Sequence, residues 1–254
     1  MYFESHAHYD DKRFDEDRHE LLMKMHKNGV DYIVNAGATM KSSCQGIEMS
    51  KKYDFVYASV GVHPHDVKDM TEKDIDTLKD MCLNNKKVVS VGEIGLDFYY
   101  DYSPRDVQIH WFKKQLSMSE EVGKPVIIHS RDASQPCFDI IKESCSRRGV
   151  IHCYSGDVEM ALEYCKMGFF IGIGGVITFG NAKKLVDVVS ALPLEKILLE
   201  TDAPYLSPNP NRGTRNDSQN LKYICDKIAE IKKVSPEEVY TTTHANCCSL
   251  FFNN

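Results

Sequence analysis

Short apolar segments recur along the chain, and most of them are continuous rather than alternating with polar residues. Such continuity is typical of strands that are buried on both faces of a parallel sheet. Eight segments fit this pattern: residues 2–3, 32–34, 55–60, 88–91, 126–128, 150–151, 169–173 and 197–199.

Between these strands the apolar positions change to helical spacing. Apolar residues recur every three or four positions, as on one face of a helix, in the segments 105–122, 182–192 and 220–231. A strand–helix unit that repeats eight times predicts an α/β fold of the (β/α)8 TIM-barrel type. An open, doubly wound parallel sheet is the alternative that the same alternation allows.

Length and composition agree with one barrel. The chain has 254 residues, of which 42% are hydrophobic, and barrels of about 250 residues commonly form one domain. We find no linker or low-complexity segment and therefore expect a single domain over residues 1–254. The Pro- and Asn-rich segment 207–217 predicts a long loop after the last strand.

Charge and cysteine content narrow the class of protein. The net charge is −6, which argues against a broad basic surface for nucleic acid, so a polyanionic substrate would need local cations or metal ions. Nine cysteines without a C-x-x-C pair favour free thiols in a reducing compartment over disulfides. No apolar run approaches the roughly 18 residues that span a bilayer. We expect a soluble, cytoplasmic protein with no membrane partner and no obligate protein partner.

Histidines and carboxylates follow the predicted strands, at the barrel end where active sites lie. His6 and His8 flank one alanine, and alternate residues of a strand face the same way, so this pair predicts half of a metal site rather than two unrelated surface histidines. The other strands are followed by His63 and His65, by Glu93 and Asp97, by His129, Arg131 and Asp132, by His152, and by Glu200 and Asp202.

Imidazole nitrogens and carboxylate oxygens suit Zn, Mn, Fe, Co or Mg. Glu93 has the position of a carboxylate that bridges two ions, although a buried partner of a basic residue is its alternative role. Asp202 is expected to be a ligand and general base, with capping of a turn before Pro204 as the alternative. Two ions a few ångströms apart polarise an electrophile and activate water near neutral pH. The predicted ligands are His6, His8, Glu93, His129, His152 and Asp202.

At these residues the sequence resembles the TatD family of metal-dependent deoxyribonucleases. The matching segments run in order from residue 3 to about residue 217. They are "FESHAH", "GVHPHD", "VGEIGLDFYYD", "QIHWFKKQLSMSEEVGKPVIIHSRDA", "HCYSG", "GFFIGIGG", "ILLETDAPYLSP" and "RGTRND".

The resemblance implies two divalent metal ions, Mg, Mn or Zn, and hydrolysis of DNA, including 3′–5′ exonuclease action. It implies that His6, His8, Glu93 and Asp202 hold one ion, and that Glu93, His129 and His152 hold the other. Asp202 and Glu93 would be the catalytic residues. The expected partner is DNA as substrate, either single-stranded or at its ends.

Two segments depart from the family pattern. Glu4 stands where the family usually has Asp, which is expected to affect packing around the site. The segment "RGTRNDSQNLKY" replaces a more usual Arg-x-Asn-Glu-Pro pattern, and this loop is expected to shape the substrate groove.

Four residues are expected to contact substrate. Arg131, Arg212 and Arg215 could hold flanking phosphates, since guanidinium matches phosphate with two parallel hydrogen bonds, with surface salt bridges as the alternative. His63 is expected to contact substrate or metal. Tyr99, Tyr100 or Tyr205 could stack a terminal base, although packing in the core or at the rim is as consistent with the sequence.

Two other functions fit parts of the sequence. A metal-dependent deacylase or amidohydrolase, such as a D-aminoacyl-tRNA deacylase, would use the same ligands on a different bond. A small closed apolar pocket would favour that function, whereas phosphate-holding arginines favour a nuclease. A non-catalytic scaffold would not need the complete ligand set and the candidate base Asp202.

Overall fold

Eight strands form one sheet in a computed structural model that describes residues 1–144 and 148–252. Every neighbouring pair is parallel, and the strands lie in chain order from first to last. The strands are β1 (Tyr2–Ala7), β2 (Val30–Asn35), β3 (Val56–Val60), β4 (Val88–Asp97), β5 (Val126–Arg131), β6 (Gly149–Ile151), β7 (Phe170–Ile173) and β8 (Ile197–Leu199).

The sheet is nearly closed on itself. Ala7, at the end of β1, forms a parallel bridge with Ala203, which follows β8, so the first strand lies beside the last. A doubly wound sheet reverses its strand order at a switch point, and this sheet does not. The predicted TIM barrel is confirmed, and the open-sheet alternative is excluded.

Helices follow the strands and cover the outside of the barrel. The helical segments predicted at 105–122, 182–192 and 220–231 match α4, α7 and α8 to within one residue at each end. The helices are α1 (Arg18–Lys27), α2 (Met40–Lys52), α3 (Glu72–Asn84), α4 (Arg105–Glu121), α5 (Ser134–Glu143), α6 (Val158–Lys166), α7 (Lys183–Ala191), α8 (Leu221–Lys232) and α9 (Pro236–Phe251).

The last helix closes the amino end of the barrel. Side chains from six different strands meet there in one buried cluster, which is only possible inside the barrel because on the outside each strand faces its own helix. We call this group, with the α9 residues that cover it, the amino-end cluster. It consists of Phe3, Val34, Val89, Ile127, Val150, Leu198, Cys247, Leu250 and Phe251.

Two central strands are longer than predicted at their carboxyl ends. β4 and β5 remain paired up to Asp97 and Arg131, so candidate site residues that were expected to follow these strands lie within them. Gly95 permits this pairing, because its φ is +143° and a Cβ there would lie 2.0 Å from the carbonyl oxygen of His129. The extension places Glu93 and His129 on rigid elements.

The eight cysteines in the described part of the chain are all free thiols, as predicted. Cys145 lies outside the described residues. Within the ranges 1–144 and 148–252, no helix combines the length and the apolar character that crossing a membrane requires.

Candidate metal centre

The six predicted ligands come together at the carboxyl end of the barrel. β1 supplies His6 and leads into His8, β4 supplies Glu93, and β5 supplies His129. The remaining two follow the ends of β6 and β8. Although the cluster is polar, it is largely buried: the exposed fraction is 0% for His6 and 3% for Glu93. The completed set is His6, His8, Glu93, His129, His152 and Asp202.

Glu93 lies at the centre, and its two oxygens face different sets of histidines. Its Oε2 lies 3.3 Å from His6 Nε2 and 3.6 Å from His8 Nε2. Its Oε1 lies 2.8 Å from His129 Nδ1 and 3.2 Å from His152 Nε2. A carboxylate in this position has one oxygen available for each of two neighbouring ions.

Asp202 lies on the His6–His8 side of the cluster. Its Oδ1 is 3.4 Å from His8 Nε2 and 3.8 Å from His6 Nε2. The side chain of Asp202 is 17% exposed, against 4% for Glu93, so Asp202 is the carboxylate that solvent and a substrate reach more easily.

The spacing of these donor atoms fits divalent ions. Nitrogen and oxygen ligands at about 2.0–2.2 Å from an ion stand about 3.0–3.6 Å from one another in tetrahedral or octahedral geometry. Three of the observed separations lie in this range: 3.1 Å between the Nε2 atoms of His6 and His8, 3.3 Å from His6 to Glu93 and 3.4 Å from His8 to Asp202. The separation of 3.8 Å from His6 to Asp202 is slightly longer. The donor set and its spacing therefore suit a metal.

Backbone and carboxylate partners orient three of the histidines. His8 Nδ1 lies 3.0 Å from the carbonyl oxygen of Ala36, to which it donates, so Nε2 points into the cluster. His129 has the reverse orientation: its Nε2 donates to Asp97 Oδ2 at 3.0 Å and its Nδ1 faces Glu93. Each ring thus turns its other nitrogen toward the centre.

His152 is oriented by Glu200. Its Nδ1 faces Glu200 Oε1 at 3.4 Å, an ionic contact rather than a well-aligned hydrogen bond. The same oxygen accepts a hydrogen bond from the backbone N–H of Cys153. Gly172 leaves room for this carboxylate, because a Cβ there would lie 2.4 Å from Glu200 Oε2.

Asp97 is a candidate functional residue, for which the sequence predicts a place at the rim but no role. Its Oδ2 accepts hydrogen bonds from both His129 and His65, the latter at 2.9 Å. Its Oδ1 accepts the backbone N–H groups of Tyr99 and Tyr100. The sequence signal for Asp97 is a second carboxylate, four residues after Glu93 and beyond the end of the same predicted strand.

His63 differs from the other histidines of the centre. Its Nδ1 accepts the backbone N–H of His65 at 3.2 Å, which places the ring proton on Nε2, 3.5 Å from Glu93 Oε1. Burial lowers the pKa of His63 well below its usual range, and the charge of His129 adds to this, so the ring is neutral. With Glu93 and His129, His63 also forms a group whose donor atoms are close enough together to hold an ion, so both predicted roles, contact with substrate and contact with metal, remain open to it.

The charges of the centre stabilise one another. Burial raises the pKa of Glu93, but the charge of His152 and the hydrogen bond with His129 outweigh it and hold the pKa well below its usual range. Burial likewise lowers the pKa of His8, but the hydrogen bond and charge of Asp202 raise it to about 9. The carboxylates of Glu93 and Asp202 are therefore both ionised at neutral pH, as metal ligands must be.

Glu4 supports the segment that carries Asp202. It is fully buried, and it accepts hydrogen bonds from Thr201 N at 2.8 Å and Thr201 Oγ1 at 2.6 Å. Burial raises the pKa of Glu4 to about 8, although the hydrogen bonds from Thr201 and Ser218 oppose the shift. Glu4 thus links β1 to the residue that precedes Asp202. Its carboxylate does not lie among the atoms that face the centre.

The three predicted phosphate-binding arginines have different surroundings. Arg131 lies over the rings of Tyr99 and Tyr100, and Arg212 lies 3.7 Å from the centroid of Phe179. Within the described residues, neither has a carboxylate in ion-pair contact.

Arg215 is instead paired with a carboxylate. Both of its terminal nitrogens bind the two oxygens of Asp17, one of them at 2.8 Å. The predicted contact of Arg215 with a phosphate would require this ion pair to open.

A parallel barrel with histidines and carboxylates converging at its carboxyl end defines the class of metal-dependent barrel hydrolases. The family model described as TatD related DNase matches residues 3–252. The chain therefore belongs to the TatD family of metal-dependent hydrolases.

Individual relatives agree with this placement. The chain is 40% identical over 253 residues to the uncharacterized metal-dependent hydrolase YabD of Bacillus subtilis, covering 99% of each chain. It is 30% identical to a protein of Cronobacter sakazakii named 3′-5′ ssDNA/RNA exonuclease TatD, covering 95% of this chain and 94% of the other. The crystal structure of YJJV, a TatD homologue of Escherichia coli, superimposes with a TM-score of 0.94 at 29% identity, covering 99% and 98%.

Proposed function

We propose that this protein is a 3′–5′ exonuclease that hydrolyses phosphodiester bonds of single-stranded DNA with two divalent ions. The observation that carries the proposal is the position of Arg131. It lies at the end of β5, two residues after His129. Its guanidinium rests on aromatic rings and has no carboxylate partner within the described residues, so its N–H groups are available for a phosphate.

The geometry of Glu93 supports the use of two ions. Its Oε2 would serve the ion held by His6, His8 and Asp202, and its Oε1 the ion held by His129 and His152. Ions in these positions, whether Mg, Mn or Zn, would polarise the phosphodiester and lower the pKa of water.

Two side chains are positioned to handle protons and substrate. Asp202 accepts the proton of the attacking water, because its carboxylate is ionised at neutral pH. Burial raises the pKa of Asp202, but the hydrogen bond from His8 and the charge of His152 lower it below its usual value. His63 donates its Nε2 proton in a hydrogen bond to a non-bridging oxygen of the scissile phosphate.

The rim favours an extended substrate over a small amide. Large aromatic side chains stand exposed around the centre, among them Tyr205, which is 45% exposed and has its ring centroid 6.3 Å from that of His8. A deacylase would be expected to enclose its small substrate in an apolar pocket. The exposed aromatic rim therefore favours the nuclease over the deacylase.

The test is a time course on end-labelled single-stranded DNA with Mg, Mn, Zn or EDTA. We expect a ladder that shortens from the 3′ end, is absent in EDTA and is slowed at least about a hundredfold in Asp202→Asn. Asp80→Asn, which changes an exposed carboxylate on α3, is the matched control and should cleave like the parent. Binding of divalent ions without cleavage of DNA would contradict the proposal and favour the deacylase.

A further inference from the structure

Three tyrosines lie exposed on the loop after β4, although large aromatic residues elsewhere in the barrel are mostly buried. Tyr99, Tyr100 and Tyr102 are 57%, 44% and 59% exposed. The rings of Tyr100 and Tyr102 are stacked, with centroids 5.1 Å apart and an interplanar angle of 14°. We call these three residues, together with Arg131, the tyrosine platform. Adjacent exposed aromatic surface of this kind is typical of a binding site.

The platform lies next to the metal centre and is connected to it by a row of rings. The ring of His65 lies 4.8 Å from that of Tyr102 and 5.4 Å from that of Tyr100. On its other side, the His65 ring lies 4.3 Å from that of His63, which lies 4.3 Å from the His129 ring. A ligand on the platform would therefore be a neighbour of a phosphate at the centre.

The loop that carries the platform is held in place by buried hydrogen bonds. Asp97 is fully buried, and its Oδ1 accepts the N–H groups of Tyr99 at 3.1 Å and Tyr100 at 3.0 Å. Ser103 Oγ donates to the carbonyl oxygen of His65, and Gln108 Nε2 donates to the carbonyl oxygen of Ser103. The same aspartate orients His129, so the platform has a fixed place relative to the centre.

Arg131 adds a charge to this surface. Its guanidinium carbon lies 4.2 Å from the ring centroid of Tyr99 and 4.7 Å from that of Tyr100. A guanidinium that rests on ring faces keeps its N–H edges free for a planar anion, with which it forms two parallel hydrogen bonds. The platform thus combines apolar ring surface with a phosphate-binding group, the two features of single-strand nucleic-acid sites.

We propose that the tyrosine platform is a nucleotide subsite, which binds the nucleotide next to the scissile phosphodiester. The base stacks on Tyr100 and Tyr102, and Arg131 binds the phosphate of that nucleotide. This inference rests on the proposed function and deepens it. Because every base has a π face, the subsite favours unpaired nucleotides without selecting a sequence.

The test measures binding rather than cleavage. The probe is a fluorescein-labelled, phosphorothioate-linked hexathymidylate, which resists hydrolysis, compared with an abasic hexamer of the same backbone. Fluorescence anisotropy is recorded with Mg²⁺ present, and gels check that the probes stay intact. We expect the parent protein to bind the hexathymidylate more tightly than the abasic probe.

Variants then separate the ring surface from the charge. Y100L/Y102L should weaken binding of the hexathymidylate about tenfold or more and change binding of the abasic probe less than about twofold. Y100F/Y102F, which keeps the rings, should bind like the parent. R131Q should weaken both probes equally and reduce the slope of log affinity against log salt by about one.

Several outcomes would overturn the subsite. These are equal binding of both probes by the parent, no loss in Y100L/Y102L, and equal loss for both probes in that variant. The failure of the proposed function would look different. The parent would bind the hexathymidylate through its bases, and Y100L/Y102L would lose this binding, but the parent would not cleave natural DNA. Cleavage that the leucine variant retains in full, with unchanged binding, would remove the subsite and leave the nuclease intact.

Discussion

The two ends of the barrel interior are built from the same strands but from opposite kinds of residue. On β5, Ile127 belongs to the amino-end cluster, and His129, two positions later on the same face, belongs to the metal centre. On β6 the corresponding pair is Val150 and His152. A period of two keeps both members of a pair inside the barrel, so a step of two residues along β5, or from β6 into the residue that follows it, changes the interior from apolar to ionisable.

The difference separates stability from chemistry. At the amino end, α9 covers large apolar side chains, and burying each of them stabilises the fold by about 1.5–3 kcal/mol. At the carboxyl end, buried charges depend on one another, because an ionised group without a partner would be costly. We therefore expect changes at one end to alter stability and changes at the other to alter metal binding and turnover.

The largest expected effect is that of Glu93→Gln. Glutamine keeps the size of the side chain but has only one carbonyl oxygen, so it cannot offer an oxygen to each of the two sets of histidines. We expect turnover to fall at least about a thousandfold, with loss of bound metal measured by mass spectrometry of the purified protein. The melting temperature in EDTA controls for folding. Unchanged turnover and metal content would refute the bridging role.

Phe251→Ala tests the opposite end. Phe251 is fully buried on α9, and its ring lies 6.0 Å from that of Phe3 on β1. Removing the ring should lower the free energy of unfolding by about 3–5 kcal/mol, measured by urea denaturation. The metal content of the folded fraction should not change, and Leu83→Ala, at a 61% exposed position on α3, should have little effect. A loss of metal without a loss of stability would break the separation between the two ends.

Much of this arrangement could be predicted from the sequence. Continuous apolar runs mark strands that are buried on both faces, so the order and number of strands were predictable. The convergence of the candidate ligands was predictable because His6, His8 and Glu93 belong to short motifs at strand ends, where parallel strands meet at one edge.

The remaining features depend on contacts between distant residues. Arg215 and Asp17 are 198 positions apart, and no local pattern indicates that they pair. The role of α9 was likewise hidden, because a helix that covers a barrel end has no different periodicity from one that covers its side. The partners of Asp97 follow from the pairing of β4 with β5, which extends beyond the apolar run used to predict β4.

Asp97→Asn should have an intermediate effect on the carboxyl end. Asparagine can still accept hydrogen bonds from His129 and from the loop, but it lacks the charge that makes the imidazole a stronger ligand. We expect metal affinity or turnover to fall about 10–100-fold, as measured by titration with Mn²⁺ and by DNA cleavage. Asp101→Asn is the matched control, since Asp101 lies on the same loop and pairs with Arg105. Equal losses in both variants would indicate that only the loop has been disturbed.

The smallest expected effect is that of Arg215→Gln. Arg215 and Asp17 are 34% and 40% exposed, and ion pairs at such positions contribute about 0–1 kcal/mol to stability. Since Asp17 occupies both terminal nitrogens of the guanidinium, we expect oligonucleotide affinity to change less than about twofold and its salt dependence to stay the same. R131Q should reduce that dependence by about one phosphate contact. If R215Q did so as well, the pair with Asp17 would have to open when DNA binds, and the phosphate-binding surface would extend to the loop after β8.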